Sequence, residues 1–189
     1  VDEVDRLVGR VTIDDIIDII KEEADKDYQL AAGISQDVEA DDSILELTKA
    51  RLPWLVLALF GGFISVKVLG VFEPMMNSHR MLLFFTPLIA AMAGNVGVQS
   101  SAIVVQGLAN NSITGSLWNR LLKELSLSLL NGSILAVILI LGTHFLLGYE
   151  FIIGITVSIA LLSVIVVASL IGTFIPIILD KYGIDPALA

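Results

Sequence analysis

The sequence contains no cysteine, only two histidines and few charged residues. Without cysteine the chain has no disulfide framework and no thiolate for catalysis or metal binding. Charged residues make up 16% of the chain, against about 25% in ordinary globular domains. Hydrophobic residues make up 56% of the chain, and the mean hydropathy is +0.86. These values predict an integral membrane protein.

The sequence also lacks the residue patterns of common enzyme classes. It has no His-Glu-x-x-His zinc motif and no glycine-rich phosphate loop. Serine, histidine and aspartate do not occur together within one predicted compartment, and no pair of carboxylates lies inside a predicted membrane span. His79 and His144 have no ligand partner at metal-binding spacing. We therefore predict that the chain is not an enzyme.

The few charges are distributed unevenly along the chain. Residues 1–51 contain 15 Asp or Glu and six Lys or Arg, whereas residues 52–189 contain five of each kind. An acidic segment is a poor ligand for nucleic acid or anionic lipid, so no nucleic-acid partner is expected. Clustered carboxylates are ligands for divalent cations. The alternative is that the acidic segment is a solvated linker.

The pattern of residues 13 to about 28 predicts an amphipathic acidic helix. Thr12 is a good N-cap, and Asp15 completes a capping box. Isoleucines occupy one face of the helix, and carboxylates occupy the other. Four carboxylates share one side at spacings i, i+3, i+7 and i+8: Asp15, Asp18, Glu22 and Glu23. Like charges at these spacings repel, so the arrangement is destabilising unless cations are bound.

Four apolar segments follow, each with the roughly 20 residues that a membrane span needs. They cover about residues 53–72, 81–108, 121–147 and 152–180. The expected fold is therefore an all-α polytopic membrane protein with four transmembrane helices, preceded by the acidic helix. Lys and Arg predominate on the cytoplasmic side of membrane proteins. With a cytoplasmic N-terminus, that side holds Lys49, Arg51, Arg120, Lys123 and Lys181, against Lys67 and Arg80 on the other side. We thus expect a multi-pass protein of the cell membrane with its N-terminus in the cytoplasm.

The centre of the second apolar segment is polar. Hydrocarbon offers no partner for an amide side chain, so such residues face a neighbouring helix or a water-filled path. Glycine permits close backbone approach or a local break in the helix, and amide or carbonyl oxygens can replace part of a cation's hydration shell. The candidate pore-lining residues are Gly94, Asn95, Gly97 and Gln99. The alternative is that the small residues serve only helix packing.

Four ordered motifs resemble the MgtE family of magnesium channels. Its second span is similar to Pro87-Leu-Ile-Ala-Ala-Met-Ala-Gly-Asn-Val-Gly-Val-Gln-Ser-Ser101 followed by Gln106-Gly-Leu-Ala109. The end of its second CBS domain and its connecting "plug" helix are similar to residues 11–24. The entry to its first span resembles Arg51-Leu-Pro-Trp-Leu55. The end of its fourth span and the loop beyond resemble residues 172–176 and 183–189.

This resemblance implies a domain organisation. Residues 1–12 would be the remnant of a CBS domain, residues 13–42 the plug helix and linker, and residues 43–189 the transmembrane domain. The family has five transmembrane helices, of which this chain holds four. The resemblance places the fifth, with the family's pore aspartate, beyond Ala189.

The resemblance also implies a function. It implies a homodimeric channel for passive magnesium uptake across the plasma membrane, with a pore on the dimer axis, where Gly94 and Asn95 match the pore motif. Cytoplasmic magnesium bound to acidic residues would hold the gate closed. The positions that match this sensor are Asp15, Asp18, Glu23, Asp27 and Asp185, while Lys26 stands where another acid is expected. Oxygen sites also accept manganese, cobalt and nickel. The alternative function is a non-transporting membrane anchor or regulatory subunit.

Overall fold

The computed structural model describes residues 9–110, 112–113 and 115–188, and these residues form helices and no β-strand. The helices are α1 (Ile13–Ala31), α2 (Ile44–Val71), α3 (Glu73–Ser78), α4 (Arg80–Leu83), α5 (Thr86–Ala109), α6 (Leu117–Phe145) and α7 (Phe151–Lys181), followed by a 3-10 turn at Pro186–Leu188. This confirms the all-α prediction. Of the predicted CBS remnant, residues 9–12 have no regular structure, and residues 1–8 lie outside the described part of the chain.

Helix α1 begins at the predicted capping box. The Thr12 hydroxyl accepts a hydrogen bond from the Asp15 backbone N–H at 3.3 Å, and the Asp15 carboxylate accepts one from the Thr12 N–H at 2.8 Å. These reciprocal bonds satisfy two donors that a helix start otherwise leaves unpaired. The Thr12 hydroxyl also donates to the carboxylate at 2.6 Å. The bonds from the Thr12 side chain and backbone hold the pKa of the Asp15 carboxyl below its usual value of 3.8.

The chain divides into two compact units, Val1–Leu59 and Phe60–Ala189, and the boundary falls inside α2. In the first unit, the segment between α1 and α2 has a fixed local structure. The Ser35 N–H and hydroxyl both donate to the Ala50 carbonyl at 3.0 Å. The Gln29 side-chain amide donates a hydrogen bond to the Val38 carbonyl at 2.9 Å and accepts one from the Val38 N–H at 3.2 Å. The predicted linker is therefore tied by hydrogen bonds to the helices on both sides of it.

Four helical segments within the described residues are long and apolar enough to cross a membrane: α2, Arg80–Ala109, α6 and α7. This confirms the four predicted spans. The second span is divided, because α4 ends at Leu83 and α5 begins at Thr86. Pro87 lies in the first turn of α5. A proline there has no N–H to donate, and its ring would clash with the carbonyl four residues earlier, so a new helix begins instead.

Helix α7 packs against both α5 and α6 and is the central helix of the second unit. Its buried residues repeat every three or four positions: Gly154, Val157, Ser158, Leu161, Ile165, Ser169, Thr173 and Pro176. Half of them are glycine, serine or threonine, which are common where membrane helices pack closely. The Ser158 hydroxyl donates to the Ala136 carbonyl of α6 at 3.0 Å. The 3-10 turn packs against α7 and α5.

Candidate ion-binding site

The glycine-rich stretch of α5 makes a close helix contact on one side. A Cβ atom added at Gly172 of α7 would lie 2.5 Å from the Gly97 carbonyl oxygen and 3.2 Å from Cβ of Ser100. The two backbones approach this closely because position 172 has no side chain. Helix α5 is continuous from Thr86 to Ala109. The sequence allowed these glycines either to bring two helices close together or to break α5. The structure shows the close approach, and α5 is not broken.

The amide side chains of the same stretch face a cavity. This cavity has a volume of about 460 Å³ and lies among α5, α6 and α7. Its polar lining residues are Asn95, Gln99 and Ser100 of α5, Glu124, Ser128 and Asn131 of α6, and Ser169 of α7. Asn95 and Gln99 are both exposed. Gly94 borders open space, with no atom within 4 Å of an added Cβ. The four predicted pore-lining residues therefore do not share one surface. Asn95 and Gln99 line the cavity, Gly94 is exposed, and Gly97 faces α7.

One carboxylate in this cavity was not singled out from the sequence. The Ser100 hydroxyl donates a hydrogen bond to Oε1 of Glu124 at 2.6 Å, which joins α5 to α6. Ser100 is buried and Glu124 is half-buried. An acidic residue within an apolar span is a functional candidate by its position alone. That signal was present, but Glu124 follows Lys123 near the predicted end of its span, where charged residues are ordinary.

The predicted sensor carboxylates lie in two parts of the chain. Asp15, Asp18, Glu23 and Asp27 lie on α1, and Asp185 follows α7. Asp15 is engaged in the helix cap, while Glu23 forms an ion pair with Lys26 at 3.5 Å. Asp185 accepts a hydrogen bond from the Ala187 N–H at 2.9 Å. Across the described residues, no three His, Asp or Glu side chains are grouped closely enough to hold a metal ion.

The apolar spans and the amide and carboxylate side chains on their shared cavity define a class of protein: a polytopic membrane protein with polar groups among its spans. The sequence profile described as "MgtE: Divalent cation transporter" matches residues 86–189. The chain belongs to the MgtE family of divalent cation transporters.

Three curated relatives carry the name "Magnesium transporter MgtE". The Bacillus subtilis protein is 36% identical over 190 residues, covering 100% of this chain and 42% of its own length. The Enterococcus faecalis protein is also 36% identical over 190 residues, covering 98% of this chain and 41% of its own length. The Thermus thermophilus protein is 32% identical over 191 residues, covering 100% of this chain and 42% of its own length. The chain thus spans less than half the length of these relatives.

Proposed function

We propose that the chain forms the membrane part of a channel for passive magnesium uptake. The observation that carries the proposal is the position of Asn95 and Gln99, whose amides face a cavity within the family-matched segment. Magnesium loses its hydration shell reluctantly and keeps several waters when bound. Amide oxygens suit such an ion because they accept hydrogen bonds from its waters. The relatives' description as magnesium transporters supports this choice of ion.

In this proposal a second copy of the chain completes the pore. Val98 is 70% exposed and lies on α5 near the exposed Asn95 and Gly94. If this face met lipid, the Asn95 amide would be left unsatisfied, at several kcal/mol for a polar group in hydrocarbon. A homodimer with α5 near its axis removes that penalty, since the amides of two copies then line one aqueous path.

We further propose that magnesium in the cytoplasm closes the channel through the acidic helix. No residue of α1 is buried, and Asp18 and Glu23 are exposed, so a second acidic surface of the protein can approach them. Without a bound cation, the like charges repel one another and favour separation. With magnesium bridging them to a second acidic surface, the closed arrangement is favoured. The orientation in which the N-terminus is cytoplasmic follows from the excess of Lys and Arg on that side.

The test of the pore is Asn95→Leu in the complete protein, measured by magnesium uptake into proteoliposomes. We expect uptake to be abolished, because the variant removes an amide from the path and narrows it with an apolar side chain. The homodimer should persist in size-exclusion chromatography with light scattering. Asn119→Leu makes the same change at an exposed position in the first turn of α6 and should transport normally.

Unchanged uptake by Asn95→Leu would contradict the pore assignment. If the unsubstituted protein inserts and dimerises but moves no divalent cation, the chain is a membrane anchor or regulatory subunit instead. Competition with manganese, cobalt and nickel in the same assay fixes the ion preference, since all of these ions accept oxygen ligands.

A further inference from the structure

We propose that Glu124, together with amide side chains that line the same cavity, binds a divalent cation within the membrane spans, at a site on the transport path. This inference rests on the proposed function in one respect: the bound cation is taken to be the ion that the channel transports. The site consists of the Glu124 carboxylate with the side chains of Asn95, Gln99 and Asn131, which line the same cavity.

Glu124 and Ser100 both lie within their helices and not at the helix ends. Glu124 lies seven residues after the start of α6, and Ser100 lies nine residues before the end of α5. At 1.5 Å per residue, the pair is about 10 Å from one helix end and about 14 Å from the other. Its hydrogen bond therefore joins the two helices about two turns from their ends and not in the connecting loop.

The Glu124 carboxylate has no ion-pair partner among the described residues. An ionised carboxylate in a low-dielectric environment is costly unless a charge or several hydrogen bonds compensate it. In the described residues Glu124 receives one hydrogen bond, from Ser100, and no Lys or Arg lies within 4.0 Å of it to form an ion pair. Its neighbour Lys123 is exposed. A cation in the cavity would supply the missing positive charge.

The ligand types and the volume of the cavity suit a hydrated magnesium ion. Magnesium commonly takes one or two carboxylates and completes its octahedron with waters. A single carboxylate on a cavity that three amides also line fits that habit and needs no dense acidic cage. Six waters at about 30 Å³ each occupy roughly 180 Å³. The cavity of about 460 Å³ therefore accommodates a hydrated ion together with exchanging water.

The competing explanation is that Glu124 only ties α5 to α6 through Ser100. Two substitutions separate the explanations. Glu124→Gln removes the charge but keeps an amide oxygen that can accept the Ser100 hydrogen bond. Glu124→Asp keeps the charge but shortens the side chain by one methylene, which weakens the tie. A binding site tolerates aspartate better than glutamine, whereas a structural tie tolerates glutamine better.

The experiment uses the complete protein in detergent and in proteoliposomes. Bound manganese is counted per chain by loss of the free Mn²⁺ paramagnetic resonance signal, and the half-saturating magnesium concentration is taken from uptake. We expect Glu124→Gln to bind one manganese fewer per chain. We also expect its half-saturating magnesium concentration to rise by roughly tenfold or more, since ligand charge tunes cation affinity over decades. Glu124→Asp should keep the bound ion and change half-saturation by less than about threefold.

Glu150→Gln is the matched control, because it makes the same change at an exposed position preceding α7. It should bind and transport as the unsubstituted protein does. The proposed site would be overturned if Glu124→Gln left both the number of bound manganese ions and the magnesium uptake unchanged. It would also be overturned if Glu124→Asp lost binding and uptake while Glu124→Gln kept them. If no variant, including the unsubstituted protein, transports a divalent cation, the proposed function fails. The manganese count at Glu124 still decides the present inference in that case.

Discussion

The contact between α5 and α7 yields a graded prediction about three glycines. At Gly172, an added Cβ would lie 2.5 Å from the Gly97 carbonyl oxygen. Ordinary contact begins at 3.4 Å, so one helix backbone must move by about 0.9 Å. At Gly132 the nearest atom is also at 2.5 Å, but it is the flexible Cδ1 of Leu162. At Gly142 the nearest atom is the Cδ1 of Leu146, at 4.0 Å.

Gly172→Ala should therefore destabilise the protein most, because a carbonyl oxygen fixed in a helix cannot rotate away. Overpacking of this kind costs about 1–3 kcal/mol. For a chain of this size, that corresponds to roughly 2–4 °C in Tm for each kcal/mol. Gly132→Ala should lose less stability, since the Leu162 side chain can change its rotamer to make room. Gly142→Ala should lose no stability, because the added Cβ has room and alanine has a higher helix propensity than glycine.

The assay is thermal unfolding of the purified protein in one detergent, with magnesium uptake measured alongside. Gly172→Ala should also impair uptake, because a shift at Gly97 moves Asn95 and Gln99 two residues away on either side. An equal Tm for Gly172→Ala and Gly142→Ala would refute the reasoning. It would mean that α5 and α7 are held too loosely for their separation to be limited by position 172.

Two further predictions concern α1. The double variant Asp18→Asn with Glu23→Gln should leave channel opening insensitive to cytoplasmic magnesium, since it removes two proposed sensor charges while leaving the Asp15 cap intact. This is checked by patch-clamp recording over a range of cytoplasmic magnesium. The Thr12→Val variant should raise the pKa of the Asp15 carboxyl towards 3.8, because the lowering begins with the Thr12 hydroxyl. This is measured by NMR titration of that carboxyl carbon.

Each of these predictions has its own control or contrary outcome. For the sensor, the control is Asp14→Asn with Asp25→Asn, which removes the same charge from α1 at exposed positions outside the proposed set. Retained magnesium inhibition in the Asp18 and Glu23 variant would count against the sensor. For the cap, the folded-state pKa of Asp15 is depressed. Its stabilising effect is therefore present above the unfolded value near 3.8 and is lost as pH falls through the folded value. A Thr12→Val titration identical to that of the unsubstituted protein would show that the hydroxyl is not the cause.

Local features of the chain were predictable because they depend on residues close together in sequence. The cap at Thr12 needs only Asp15, three residues later. The four spans need only runs of about 20 apolar residues. The division of the second span between Leu83 and Thr86 also has a local cause in Pro87, although a continuous segment from residue 81 was predicted. The arrangement of the sensor acids remains a prediction.

The site was harder to predict, because it depends on how each helix is rotated about its axis. In a soluble helix the apolar stripe shows which face is buried. In these spans the lipid face and the packed face are both apolar, so the pattern of hydrophobic residues does not distinguish them. Asn95 and Gln99 could be identified as unusual, yet their shared cavity could not. Glu124 was missed because its partner Ser100 lies 24 residues earlier, on another helix.

The sequence by itself therefore determined the membrane class, the helices, their capping and the polar centre of the second span, since composition and short-range chemistry control each of these. Only the tertiary structure decided which side of α5 packs and which side faces the cavity. Gly97 meets Gly172, while Asn95 and Gln99 line a cavity that Glu124 also lines. The physical reason is that close packing of glycine backbones fixes the rotation of α5, and that rotation places one amide-bearing face on the cavity.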